Sequence, residues 1–461
     1  MIASLIRTDK QLEKIRNGEI LSGADKLNLI VGLSIPSILA QITSVLMFFI
    51  DASMVGHLGE EASASIGIVE TSMWLMGSLT NAAAMGFSVQ VAHFIGANDM
   101  QKARNVFRHG LITTAIWSLL LMSVAIMIAF PLPYWLGGGA DIARNASIYF
   151  LIFGLSIPFF QLSNLSGAML KCSGDMRLPS LISVLMCVFD VLFNYLFIYV
   201  VGWGVMGAAI GTALAFLLGA LGHSYFAIFH SRSIGLFHQK EHFVWTPSYV
   251  KNAFKIGAPM GLQSVLMGSA QVVSTTIVAP LGNASIAANS FAITVESLCY
   301  MPGYGIGDAA TTLVGQSLGA RRIDITRSFA WMTIGVAMLV MALMGVLMYI
   351  FAPELMAVLT PVEEIKMLGA EVLRIEAFAE PMFAASIVAY SICVGAGDTL
   401  KPAIINLCSM WCVRLSLAAL LARDYGLKGV WTAMAIELIF RGTMFLIRIW
   451  RGRWIGKKLV A

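Results

Sequence analysis

Residues 329–351 read FAWMTIGVAMLVMALMGVLMYIF, without one charged side chain. An apolar run of about 18 residues or more is long enough to cross the hydrocarbon core of a bilayer as a helix. A second uncharged run covers residues 112–130. Working outward from these two, the same pattern recurs along the whole chain. Twelve stretches emerge, at 27–56, 63–96, 106–130, 143–169, 178–200, 205–229, 252–280, 284–318, 328–352, 366–395, 402–422 and 428–450. Several are longer than a bilayer needs, which predicts tilt, kinks or protrusion. The short alternating segments of a β-barrel are not seen. The expected fold is an all-α polytopic membrane protein with twelve transmembrane helices.

Composition agrees. Of 461 residues, 58% are hydrophobic and only 12% are charged, with a mean hydropathy of +0.81. A soluble domain carries about 25% charged residues. Half that share cannot clothe a water-facing surface, which excludes a soluble enzyme, a nucleic-acid binder and a disordered scaffold. Residues 1–25 are polar and hold no apolar core of a cleavable signal peptide. The six cysteines lack zinc spacing and read as small buried hydrophobes without disulfides.

The 30 Lys+Arg residues exceed the 25 Asp+Glu. With the amino terminus and every second loop assigned to one side, that side holds 23 basic residues and the other holds 4, while Arg374, Arg414 and Arg441 lie inside spans. This split predicts both termini in the cytoplasm, an even number of spans and a cytoplasmic (inner) membrane location. The positive excess thus describes orientation in a lipid bilayer, with no nucleic-acid partner implied, and the expected unit is a monomer.

The chain repeats itself at an offset of about 223 residues. Pro36 falls on Pro259, Leu58-Gly59 on Leu281-Gly282, Gly96-Ala97 on Gly319-Ala320 and Arg104 on Arg327. Gly174-Asp175 falls on Gly397-Asp398, and Pro179 on Pro402. Six spans per half is an even number, so both halves insert the same way round. The expected organisation is an amino-terminal lobe (1–228), a cytoplasmic linker (229–251) and a carboxy-terminal lobe (252–461). Parallel repeats of this kind are typical of secondary transporters; a channel is the alternative.

Acids inside the spans need a reason, because a central carboxylate costs about 2.5–3.5 kcal/mol on insertion scales. Asp51 lies roughly 10 Å from the outer end of the first span, while Asn194 and Asp190 lie about 12 and 18 Å into the fifth. Asp190 and Asn194 are four residues apart and share a helix face. Thr212 reaches a similar depth in the sixth span. Two carboxylates, an amide carbonyl and a hydroxyl suit a proton or Na⁺, and one such ion would relieve the repulsion of a carboxylate pair that titrates as a unit. A structural hydrogen-bonded pair is the alternative. Asp190 maps close to Val413 and Asp51 to Ser274 in the other half, so this acidic site belongs to one half only.

In the tenth span, Glu376 and Glu380 share a face. Glu380 and Arg414 lie equally far from Gly397, which predicts a structural ion pair, and Glu437 and Arg441 are placed to pair within one helix. Glu70 and Glu296 occupy similar places in the two halves and either attract a cation to a cleft or serve structure. Gln41, Met47, Asn164, Met186 and Met267 complete the substrate-cleft candidates, Met being adaptable to varied ligand shapes or simply apolar filling. No catalytic motif such as His-Glu-x-x-His is present, so an enzyme is not expected. No cofactor and no metal beyond Na⁺ is expected either.

Gly18-Glu-Ile-Leu-Ser22 before Leu33-Ser-Ile-Pro36, Asp51-Ala-Ser-Met-Val-Gly-His-Leu-Gly59, the two Gly-Asp turns, and Phe197-Ile-Tyr199 leading to Gly204-Val-Met-Gly-Ala-Ala209 together resemble the multidrug and toxic compound extrusion (MATE) family. The resemblance covers essentially the whole length. It implies two six-helix lobes in a V shape, pseudo-twofold related, and export of amphiphilic, often cationic, drugs by alternating access in exchange for H⁺ or Na⁺. It also implies an amino-lobe cation site, whose matching positions here are Asp51, Asp190, Asn194 and Thr212. The fifth-span pair stands in reversed order, Asp first, which moves the carboxylate one turn, about 6 Å along the helix. Acids that another branch of the family uses in the seventh and tenth spans have Met267 and Phe383 or Ala384 in their place, and Glu376 and Glu380 do not coincide with them. A flippase for lipid-linked precursors, from the same wider superfamily, is the alternative function.

Overall fold

The computed structural model describes residues 2–237 and 243–455. Among them there are helices and connecting turns and no strand. This is what lipid demands, since helices satisfy every backbone polar group within one segment. Eight helices are long and apolar enough to cross a membrane, and the bent pair Glu363–Ala377 and Glu380–Gly395 makes a ninth. The stretch Leu400–Arg451 is helical for 52 residues. It is two rods, because Gly426 interrupts it with φ 58° and ψ −137°. Glu60–Gly96 and Asn283–Gly319, each 37 residues, add the second and eighth spans. Twelve rods result among the described residues, within a few residues of the expected limits.

The second and eighth spans are less apolar for a packing reason. Their carboxy-terminal halves bury Thr80, Ser88, Gln90 and His93 in one, and Thr311, Thr312, Gln316 and Ser317 in the other. Helices surrounded by protein can carry such groups if they are hydrogen-bonded. Gln90 Nε2, for instance, donates to Gly86 O (2.9 Å) and Tyr249 O (3.0 Å).

An additional helix, Ile2–Arg16, precedes the first span and buries Leu12 and Ile15. The polar reading of residues 1–25 did not anticipate it. Of the cysteines, Cys172, Cys187, Cys299 and Cys393 are buried as expected, but Cys408 and Cys412 are exposed; all six are free thiols. A π-helical segment, Ser409–Arg414, carries Cys412 and follows Cys408.

The chain forms two compact units. Of the described residues, one unit takes Thr43 to Gly261, and the other gathers residues 2–42 with residues 262–455. The expected linker 229–251 is described except for residues 238–242, which lie outside the described residues. Glycine explains why the first turns of the seventh span, Pro247–Leu281, pack with the amino-terminal half. A Cβ at Gly86 would stand 2.5 Å from Ala253 O, and one at Gly257 would stand 2.7 Å from Ala82 O. The other unit repeats the device 223 residues away: a Cβ at Gly305 would meet Ile38 N at 2.6 Å. Backbone meets backbone at both crossings, as small residues permit in membranes.

Gly86→Val should therefore lower stability by about 1–3 kcal/mol, the usual cost of overpacking. Gly335→Ala, where an added Cβ meets nothing within 4 Å, should not. Thermal unfolding of the two purified variants in detergent checks this.

Candidate functional site

Three helices of the Thr43–Gly261 unit bring the fifth-span pair and Asp51 together. Asp51 lies near the end of the first span, Gly23–Gly56, and Asp190 and Asn194 lie on one face of Arg177–Tyr195. Tyr199 ties the two helices by donating its hydroxyl to Met54 O at 2.7 Å. Asn194 Nδ2 donates to Asp51 Oδ1 at 2.8 Å and to Asp190 Oδ2 at 3.3 Å. One amide thus holds two carboxyl groups, which also interact directly with each other. Thr212, from the sixth span, approaches the Asp190 carboxyl.

Asp190 and Asn194 are fully buried. Asp190 Oδ1 and Asn194 Oδ1 have no hydrogen-bond partner. Buried oxygens left without donors carry a desolvation cost that a proton or a hard cation removes. The donor set therefore fits H⁺ or Na⁺: carboxylate, amide and hydroxyl oxygens from three helices. Among the described residues no cluster of three or more His, Cys, Asp and Glu side chains forms a metal site.

The helix packing that makes this arrangement depends on the sixth span, Gly204–His230. A Cβ at Gly211 would lie 2.0 Å from Asn194 Oδ1, and one at Gly207 would lie 2.7 Å from the Phe197 carbonyl. The glycines let the fifth span seat against the sixth, and the π-helical turn Leu196–Val200 follows at once. Such turns recur at functional sites. Sequence reasoning missed Gly211 as part of the site, and Tyr149 too. Tyr149 is buried and within electrostatic range of Asp51, Asp190 and Glu70. The spacing Gly204, Gly207, Gly211 was the available signal.

The other candidates are more dispersed. Glu70 is exposed and accepts from Trp74 Nε1 at 3.3 Å, whereas Glu296 is buried. Asn164 donates to Thr80 Oγ1 at 3.1 Å. Met47 is core, and Met186 packs against the same cluster. In the other unit, Gln41 and Ser37 donate to Asp308 Oδ2 at 3.4 and 2.7 Å, and Met267 packs beside Ala270, Met410 and Leu415.

One expectation is corrected. Glu380 and Arg414 form no ion pair: both Glu380 carboxylate oxygens are buried without a hydrogen-bond partner. Arg414 instead acts on Glu296 and Glu376. The tenth span is bent by 60° between Ala377 and Glu380, so Glu376 and Glu380 lie on separate helical segments. The run from Glu380 to Gly395 is a continuous helix, but Arg414 ends the π-helical stretch Ser409–Arg414, whose wider turn takes it off the place that an α-helical residue count gives it. The expected pair within the twelfth span does form, with Arg441 Nε 3.1 Å from Glu437 Oε1, which also accepts from Ser409 Oγ at 2.5 Å.

Comparisons with known proteins agree with the repeat. The MatE family model matches residues 36–196 and again residues 259–420. The chain is 24% identical over 435 residues to a "Probable multidrug resistance protein NorM" of Thermotoga maritima, covering 92% of each chain. It is 22% identical to the "Uncharacterized transporter YisQ" of Bacillus subtilis, covering 94% of this chain and 96% of that one. A solved structure described as the "Outward-facing conformation of a multidrug resistance MATE family transporter of the MOP superfamily" superimposes with a TM-score of 0.88 at 22% identity. The overlap covers 94% of this chain and 97% of that chain.

Gly211→Ala should displace the Asn194 amide and lower stability by about 1–3 kcal/mol. The penalty should shrink in an Asn194→Ala background, where the clashing oxygen is gone. A double-mutant cycle on thermal unfolding measures that coupling.

Proposed function

The chain belongs to the MatE family, and on that premise we propose that it is a secondary transporter that exports amphiphilic, often cationic, small molecules in exchange for H⁺ or Na⁺. The names of its relatives speak of multidrug resistance, and the amphiphilic, often cationic character is what the family resemblance implies. The observation that carries the coupling is the Asn194 amide bridging Asp51 and Asp190 beside two unpartnered buried oxygens.

In this reading the protonated or cation-bound site lets the two carboxyl groups approach. The ion-free site leaves two like charges in a medium of low dielectric, which repel strongly. Asp51 and Asp190 stand on different helices, so the ion's presence changes the preferred spacing of the first and fifth spans. Substrate and ion favouring opposite states of this element would produce exchange by alternating access, since a ligand shifts a conformational equilibrium only by its differential affinity. The Tyr199–Met54 hydrogen bond keeps the ends of the two helices together while the carboxyl groups respond. The basic-residue bias supports a cytoplasmic membrane location with both termini inside.

Asp51→Asn should abolish gradient-driven efflux of a lipophilic cation from proteoliposomes while the purified protein keeps its thermal stability within about 1 kcal/mol. Imposing proton and sodium gradients separately identifies the ion. Undiminished efflux by the variant would sink the assignment.

A further inference from the structure

Glu376 and Glu380 are fully buried, and none of their four carboxylate oxygens has a hydrogen-bond partner. They flank the 60° break of the tenth span: Glu376 is in the last turn of Glu363–Ala377, and Glu380 opens Glu380–Gly395. The ninth span closes on the break. A Cβ at Gly345 would lie 2.8 Å from Ala377 O and 3.2 Å from Glu380 Cβ.

Charge counting shows what is missing. The eighth span supplies Glu296, with Tyr300, Tyr304 and Cys299 nearby. The eleventh supplies Arg414, and the twelfth supplies Glu437 and Arg441. Arg374, also in the tenth span, is engaged elsewhere, donating to Tyr349 O at 3.1 Å and lying over the Tyr349 ring. Four carboxyl groups therefore face two guanidinium groups. Glu437 is held by Arg441 and Ser409. Glu296 lies within range of both arginines, Glu376 has Arg414 but three other carboxyl groups around it, and Glu380 has Glu296 as its charged neighbour. The remaining deficit therefore falls on Glu376 and Glu380, and uncompensated buried charge costs several kcal/mol per ion.

The repeat provides a control within the same molecule. At the 223-residue offset, Glu376 falls on Phe153, Glu380 on Ile157 and Pro381 on Pro158. Phe153 and Ile157 are buried apolar residues, and Ala140–Ser173 continues as one helix straight through Pro158. The proline alone therefore does not split the span. The half that splits is the half that carries the acids.

We propose that Glu376 and Glu380 form a second ion site in the carboxy-terminal unit, which binds protons taken up from water, one O–H bond forming on each carboxylate. Two protons close the charge count without further ligands, whereas a metal ion needs several oxygens around it at once. The site would add to the charge moved per transport cycle. That consequence rests on the exchange reading above, but the binding does not.

The test counts protons taken up per chain between about pH 9 and about pH 4, on the full-length protein in nanodiscs with K⁺ or with Na⁺ as the salt. Wild type is compared with Glu376→Gln/Glu380→Gln and with Asp51→Asn. The expected result is a loss of about two protons in the double variant, equal in both salts, additive with the loss in Asp51→Asn. An acid-induced carboxyl C=O infrared band should vanish with them. The single variant Glu380→Gln, losing about one proton, serves if the double variant does not purify folded. An unchanged proton count overturns the proposal even where Asp51→Asn loses efflux. A loss seen only without Na⁺ makes it a sodium site and overturns it as well.

Discussion

A carboxylate inside a membrane has to be compensated by a partner charge, by donors, or by an ion. The two units meet this constraint differently, and much of what surrounds the acids follows from how they do so. Around Asp51 and Asp190 there is no basic side chain among the partners; a single amide serves both carboxyl groups. An amide supplies two N–H donors, and Asn194 spends its donor nitrogen on two acceptors, leaving its own oxygen and Asp190 Oδ1 without donors. Burying those oxygens without donors carries a desolvation cost that a proton or a cation would remove.

The spans were legible because hydropathy and length are read directly by lipid, with little dependence on tertiary context. The positions of polar residues were legible only where they shared one helix. Asp190 and Asn194, or Glu437 and Arg441, follow from a spacing of four residues. Pairings between helices depended on counting residues from a loop, which assumes straight rods. That assumption served Asp51 and Asn194, whose helices are continuous up to those residues. It failed for Glu380 and Arg414, because the eleventh span turns π-helical over Ser409–Arg414, between the turn and the arginine. Tyr149 was beyond the reach of pattern reading, and the spacing Gly204, Gly207, Gly211 pointed to Gly211 only as a place of close approach. A glycine among many in a membrane helix signals a close approach without naming what approaches it.

The repeat separates scaffold from chemistry. The glycine-lined crossings recur at the same offset in both units: Gly261 and Ala82 in one stand where Ile38 and Gly305 stand in the other, with the small residue supplied by opposite helices. Backbone geometry is what duplication preserved, while the side chain that makes room is free to move across the interface.

The acids of the two candidate sites do not obey the offset, unlike Asp175 and Asp398 at the turns. Asp51 faces Ser274 in the alignment of halves, and Glu376 and Glu380 face Phe153 and Ile157. Each unit has placed carboxylates at positions the other fills with a hydroxyl or apolar side chain, on different spans. If these acids were needed only to hold the fold, the half lacking them should be built differently at those positions. It is instead well packed there: Phe153 and Ile157 belong to a continuous core with Met47, Ala125 and Phe150. Apolar residues therefore suffice for packing at these places, and packing alone does not account for carboxylates that cost stability in lipid.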